Sequence, residues 1–192
     1  TNFVSNGLRW VNPIADMMIP QRALLFGWSL LFPCLFLLHR AAIQRDTSAF
    51  VPLGILAGTL PLIHTHSFLA LGIVSGFYLV RSLVRKEGKA QWLGFAKYLG
   101  IVLLLALPQL IFFTFKQSGS FLKFHFNWAN EADNYFWFYI KNFGLIALLF
   151  PVAFLAANRE EKGVVGGALL IFAIAEFIQF QPNPYDNNKL LF

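Results

Sequence analysis

The sequence predicts an all-α fold, a polytopic integral membrane bundle of about six transmembrane helices. Three observations predict it. The first is composition. Of 192 residues, 12% are charged and 57% are hydrophobic, where a soluble domain carries roughly 25% charged residues. Water cannot solvate such a surface, so lipid is the solvent for much of it. The second is patterning. Apolar runs recur between short polar stretches and lack the two-residue alternation of barrel strands. Backbone amides in lipid must bond internally, which makes the runs helices. The third is charge placement. The basic residues behind the net charge of +6 sit mostly in the short connections, as orientation signals do. That distribution argues against a nucleic-acid partner.

Residues 1–21 are mixed, with Trp10, Asn12, Pro13 and Asp16 among them. Pro20-Gln21-Arg22 reads as a helix start, since proline is tolerated in a first turn. The predicted spans follow at 22–39, 47–63, 67–84, 93–115, 135–157 and 164–180. The second and third are short and are joined by a polar tip, His64-Thr65-His66, where the chain leaves lipid and returns. The fourth is the longest, with Pro108 as a kink. A polar and aromatic loop over 116–134 follows it. The fifth carries Lys141 and Pro151, and the sixth carries Glu176. Residues 181–189, QPNPYDNNK, have no helical period.

The loop charges follow the alternation that these spans impose. Loops after the odd spans hold Arg40, Arg45, Arg81, Arg85, Lys86, Lys89, Arg159 and Lys162. Loops after the second and fourth hold only Lys116 and Lys123. The basic loops are therefore expected in the cytosol. Residues 1–21, the His64 tip, 116–134 and 181–189 are expected on the other side, as one working face. Gly54 with Gly58, Gly72 with Gly76, and Gly163-Gly166-Gly167 have spacings that suit close helix contact, or are simply small residues of membrane helices. Cys34 is the only cysteine, so neither an internal disulfide nor a CxxC site exists. The chain starts at Thr1 without a signal peptide and stops as an apolar run resumes. It reads as a single transmembrane domain within a longer protein, with parts missing at both ends.

Several residues carry chemistry. His64 and His66 are two apart; on an extended turn both rings face one way. That is half of a zinc site, but no third ligand stands at a telling spacing, and no metal or other cofactor is expected. Imidazole also donates to phosphate or sugar oxygens, and the pair can equally be interfacial caps on two helix ends. Gln21 and Arg22 stand at the outer end of the first span. Arginine offers a planar fork that matches phosphate, or snorkels. Asp186, Asn187, Asn188 and Lys189 bring an acid, two amides and a cation to a membrane exit. A bound ligand or an Asx turn capping a further helix accounts for them. Glu176 is expected to face the bundle interior or a water-filled cavity, because a carboxylate in lipid is costly. Glu131 and Asp133 sit among Phe124, Phe126, Trp128, Tyr135 and Trp137, read as an aromatic belt.

At these residues the chain resembles a known group. Pro20-Gln21-Arg22 before a span, an L-P-L-x-H-x-H tip and F-Q-P-N-x-Y-D-N-N-K-L after a span occur in that order and on one side. Together they resemble uncharacterised multi-spanning relatives of the GT-C superfamily of membrane glycosyltransferases, near the protein O-mannosyltransferase-like group. The resemblance implies a polyprenyl-phosphate-linked sugar as donor and an acceptor on the non-cytosolic face of a bacterial plasma membrane or an ER-type membrane. It implies inverting transfer by an acidic general base in a first external loop, upstream of residue 1. By chemistry, Arg22, His64, His66 and Lys189 suit the phosphate. Asp186, Asn187 and Asn188 suit sugar hydroxyls or loop geometry. The rival is a transporter or lipid flippase with an outward polar vestibule, favoured by Glu176 and Lys141. A structural membrane scaffold is the third reading.

Overall fold

The computed structural model describes residues 14, 18–114, 122–130, 133–180, 187 and 190. Helix dominates, as the sequence predicts. The chain divides into two compact units, Gln21–Gly119 and Thr1–Pro20 with Ser120–Phe192.

Among its described residues the first unit holds four α-helices. α1 (Arg22–Ala42) starts behind Gln21 and runs for 21 residues, about 32 Å at the usual rise. Asp46 ends the loop after it. Its carboxylate binds Arg40 and accepts the Ser48 N–H at 3.1 Å, which caps a 3-10 turn over Thr47–Ala49. α2 (Phe50–Ile63) continues from that turn. Only His64 separates it from α3 (Thr65–Val84). α4 (Lys89–Gln109) passes Pro108 and loosens into a π-helical turn over Leu110–Thr114, a usual response to a proline near a helix end. Among the described residues, Arg22–Ala42, Thr65–Val84 and Lys89–Phe113 are long and apolar enough to cross a membrane. Thr47–Ile63 is apolar but shorter.

α2 and α4 lie closest, although α3 separates them in sequence. A Cβ on Gly54 would stand 2.9 Å from the Ile101 Cβ, and one on Gly58 would stand 2.7 Å from the Leu105 Cβ. Gly94 of α4 is covered by the Phe50 ring, 2.2 Å from where a Cβ would go. Small residues let backbones approach this closely. Gly72 and Gly76, expected to act alike, have nothing within 4 Å. The core beneath comprises Cys34, Leu38, Phe50, Leu53, Ala57, Leu60, Leu71 and Phe95, all buried.

Two glutamines tie helix backbones together. Pro61 has no N–H for the Ala57 carbonyl, and α2 is mended just beyond that point by Gln109. Its amide donates to Gly58 O at 2.8 Å and accepts from Leu62 N at 3.2 Å. Gln91, buried at the start of α4, donates to Ala41 O at the end of α1 at 2.7 Å. Arg45 and Glu87 stand 3.6 Å apart. The basic loops after α1 and α3 thus share one end of this unit, and the His64 turn and Gln109 share the other.

The second unit holds β1 (Lys123–Phe124), α5 (Tyr135–Phe143), α6 (Leu145–Ala156), α7 (Arg159–Phe177) and β2 (Ile178–Gln179). The single run expected over 135–157 is broken: α5 and α6 are bent by 93°. Gly144 sits at the break with φ +57° and ψ −132°, a backbone region open essentially to glycine alone. α7 starts earlier than the predicted sixth span, at Arg159. A capping box fixes it there: Asn158 accepts from Glu160 N and Glu161 N, and the Glu161 carboxylate accepts from Asn158 N at 2.7 Å. It also ends earlier. Ile178 and Gln179 pair antiparallel with Phe124 and Lys123, so the 116–134 loop carries a strand.

Candidate functional site

The described site residues fall at two places, one in each unit. In the first unit the His64 turn meets α1. The backbone of Gly27 lies under the His64 ring: a Cβ there would stand 2.5 Å from the His64 Cβ. Arg22 lies about 7.5 Å back along α1 from Gly27. The structure therefore brings Gln21 and Arg22 to the same end as His64 and His66. Arg22 is exposed, and Gln21 makes no side-chain hydrogen bond to the helix it precedes. The N-terminal turn of α1 carries the positive end of the helix dipole.

The histidines do not ride on an extended turn. His64 is the one residue outside helix, and His66 already belongs to the first turn of α3. Their ring centroids are 5.3 Å apart at 35°. His64 Nδ1 accepts from Ser67 N at 3.3 Å and lies 2.8 Å from the Ser67 hydroxyl. It is the N-cap of α3, a task usually given to Ser, Thr, Asp or Asn. With Nδ1 accepting, the neutral ring carries its proton on Nε2 and is a donor there. Among the described residues no group of three His, Cys, Asp or Glu side chains is placed to hold a metal.

In the second unit the polar centre is the end of α7. A helix end leaves carbonyls without intrahelical partners, and here each has a named donor. Ala175 O takes the Trp128 indole N–H at 2.8 Å and the Asn187 amide at 3.0 Å. Glu176 O takes Asn127 N, and Phe177 O takes His125 N at 2.9 Å. Asn187 is fully buried; it also donates to Ile178 O and accepts from Phe180 N. Of the two roles open to it, the geometry is that of fixing the loop. Trp128, expected in an aromatic belt, is buried as a backbone clamp instead.

Glu176 is buried in this cluster, 6% exposed. One carboxyl oxygen takes the Tyr139 hydroxyl. The other has no hydrogen-bond partner among the described residues. Tyr135, Tyr139 and Phe172 pack beside it, with ring centroids 5.1 Å and 5.3 Å apart. Lys141, named with Glu176 as a mark of a transport path, forms an ion pair with Asp133. Asp186, Asn188 and Lys189 lie outside the described residues. Sequence reasoning missed Gln91, Gln109 and Tyr139. A signal existed for Gln109: a proline within a span disrupts the backbone ladder around it, and a polar side chain at matching depth on a neighbour can bridge the groups that part.

Set against models of known protein families, against curated proteins and against solved structures, the chain matches none.

Proposed function

We propose that the chain is part of a multi-pass membrane glycosyltransferase that moves a sugar from a polyprenyl-phosphate donor to an acceptor on the non-cytosolic face. The observation that carries this reading is that Arg22, about one and a half turns from the Gly27–His64 contact, stands at the same end of the first unit as the His64 and His66 turn. An exposed guanidinium on a helix N-terminus, with imidazoles at the same end of the unit, suits a phosphate. Three helices of spanning length support a membrane setting. The six-span topology adds Thr47–Ile63 and α6 of the bent pair as short spans and α7 as the last. The shared end of the basic loops after α1 and α3 agrees with their expected cytosolic side.

The test is binding of a fluorescent polyprenyl phosphate to the purified protein in nanodiscs. Charge-assisted bonds contribute roughly 1.5–3 kcal/mol each, so Arg22→Ala weakens affinity about ten-fold or more. Arg22→Lys restores part, because the fork is lost. Equal affinity of wild type and both variants removes Arg22 from the site. The transporter reading draws on the buried Glu176, whose second oxygen lacks a described partner. Solute or lipid translocation in proteoliposomes that is abolished by Glu176→Gln would favour it over transfer.

A further inference from the structure

The two arms of the α5–α6 elbow differ in polarity, and each arm matches a different layer of a bilayer. All twelve residues of α6, LIALLFPVAFLA, are apolar, and none is buried. A protein partner covers one side of a helix. An apolar helix with this much of its surface exposed needs an apolar solvent. α5 is mixed. Phe136 and Trp137 are 75% and 55% exposed, while Phe138 is buried. The Asp133–Lys141 ion pair and the Asn134 cap keep polar groups at the level of this helix, and tryptophan favours the headgroup layer.

The elbow is also placed against α7. Tyr139 and Phe143 of α5 meet Phe172, with centroids 5.3 Å and 6.1 Å apart. Near the other end of α6, the Lys162 ammonium reaches Leu155 O at 3.3 Å and lies 5.8 Å from the centre of the Phe154 ring. Lys162 and Phe172 are about 15 Å apart along α7, and α6 is about 18 Å long. α6 therefore runs beside α7 and α5 lies across it. Between α6 and α7 opens a mainly apolar groove lined by Phe150, Phe154, Ala157 and Val165, with Glu161 of the α7 capping box also at its wall.

We propose that the elbow is seated in lipid, with α5 lying flat in the headgroup layer and α6 descending into the hydrocarbon. This rests on the membrane reading above. The test uses nitroxide-labelled Phe136→Cys, Ile140→Cys, Leu145→Cys and Leu149→Cys variants of the full chain in phosphatidylcholine nanodiscs. Leu104→Cys, exposed on α4, reports on the membrane setting itself. Cys34 is buried and stays in place. Depth is read from relative access to oxygen and to a water-soluble nickel chelate. A helix normal to the membrane deepens by about 6 Å over four residues. The expected result is equal shallow depth at 136 and 140, a step of about 6 Å from 145 to 149, and a deep label at 104. Steps of about 6 Å in both pairs, the mark of one straight span, overturn the proposal. Access to neither agent at 145 and 149 means that a second copy or another protein covers the elbow, and also overturns it. Chelate access at all four elbow sites with 104 deep overturns the elbow proposal alone. Chelate access at 104 as well overturns the membrane reading.

Discussion

The two units are held by opposite means. In Gln21–Gly119, helices meet where side chains are missing: Gly54, Gly58 and Gly94 each let a neighbour sit where a Cβ would be. In the second unit, α6 buries nothing, and order comes from hydrogen bonds to the end of α7 and from stacked rings. The first arrangement fixes helix faces over their length. The second fixes one helix end and leaves the helices beside it open. A membrane protein uses the first for rigidity. The second holds a buried polar group, here Glu176, without a close-packed core around it.

The largest expected effect breaks the first kind of packing. Gly94→Leu drives a side chain into the Phe50 ring and lowers stability by about 3 kcal/mol or more, read from thermal unfolding in detergent. Gly72→Ala is the contrast: with nothing within 4 Å, it gains up to about 1 kcal/mol from helix propensity. Similar losses at both positions would erase the distinction drawn from the glycines.

Next is Asn187→Ala, which strips a buried donor pair and an acceptor from the end of α7. About 2–3 kcal/mol is expected, confined to the second unit. Hydrogen exchange should quicken at Asn127 and His125 and stay unchanged at Gln91 and Gln109. Uniform quickening would mean that the units are not separately held. Gly144→Ala should cost about 1–3 kcal/mol through backbone strain alone, since nothing crowds that position. An alanine variant with wild-type unfolding would show that the elbow straightens at no cost.

The smallest effect concerns pH. The Ser48 hydroxyl first of all, with help from the Ser48 N–H and Arg40, outweighs desolvation and holds the Asp46 carboxyl below its ordinary value of 3.8. A carboxyl whose folded pKa is depressed stabilises the fold above its unfolded pKa and loses that contribution as pH falls through the folded one. Stability from Asp46 should therefore be flat from pH 8 to about 5 and decline below the ordinary carboxylate range. Asp46→Asn should remove that decline, and an unchanged acid limb would assign it to other groups.

Much of the first unit was legible in the sequence. Apolar runs with polar breaks placed α1 to α4, and the alternation of loop charge placed the tip and Arg22 together. Gly54 and Gly58 were legible as contacts, whereas Gly72 and Gly76 were not distinguishable from them. A glycine spacing states that a helix can be approached, and its neighbours decide whether it is. The elbow was not legible. Lys141 and Asn142 do break the apolar run before Gly144, but a lone polar pair is passed over in a span of this length, and the glycine reads the same in a straight helix as at φ +57°. At the candidate site, His64 and Asn187 each carried two readings, ligand chemistry or a cap and loop role, and both bond local backbone. Asx and imidazole groups serve caps and ligands through the same atoms, so residue type alone does not separate the two.

The pairing of α2 with α4 also sets an order of biogenesis. α2 leaves the ribosome well before its partner and must wait through the whole of α3. During that wait its glycine strip faces no helix, and the Gly58 and Leu62 backbone groups lack the Gln109 amide that later joins them. A nascent chain stalled after Val84 therefore displays an incomplete surface to proteases. One that has emerged past Gln109 has closed it. The commitment point of assembly lies within α4, and truncations on either side of it should differ sharply in lifetime.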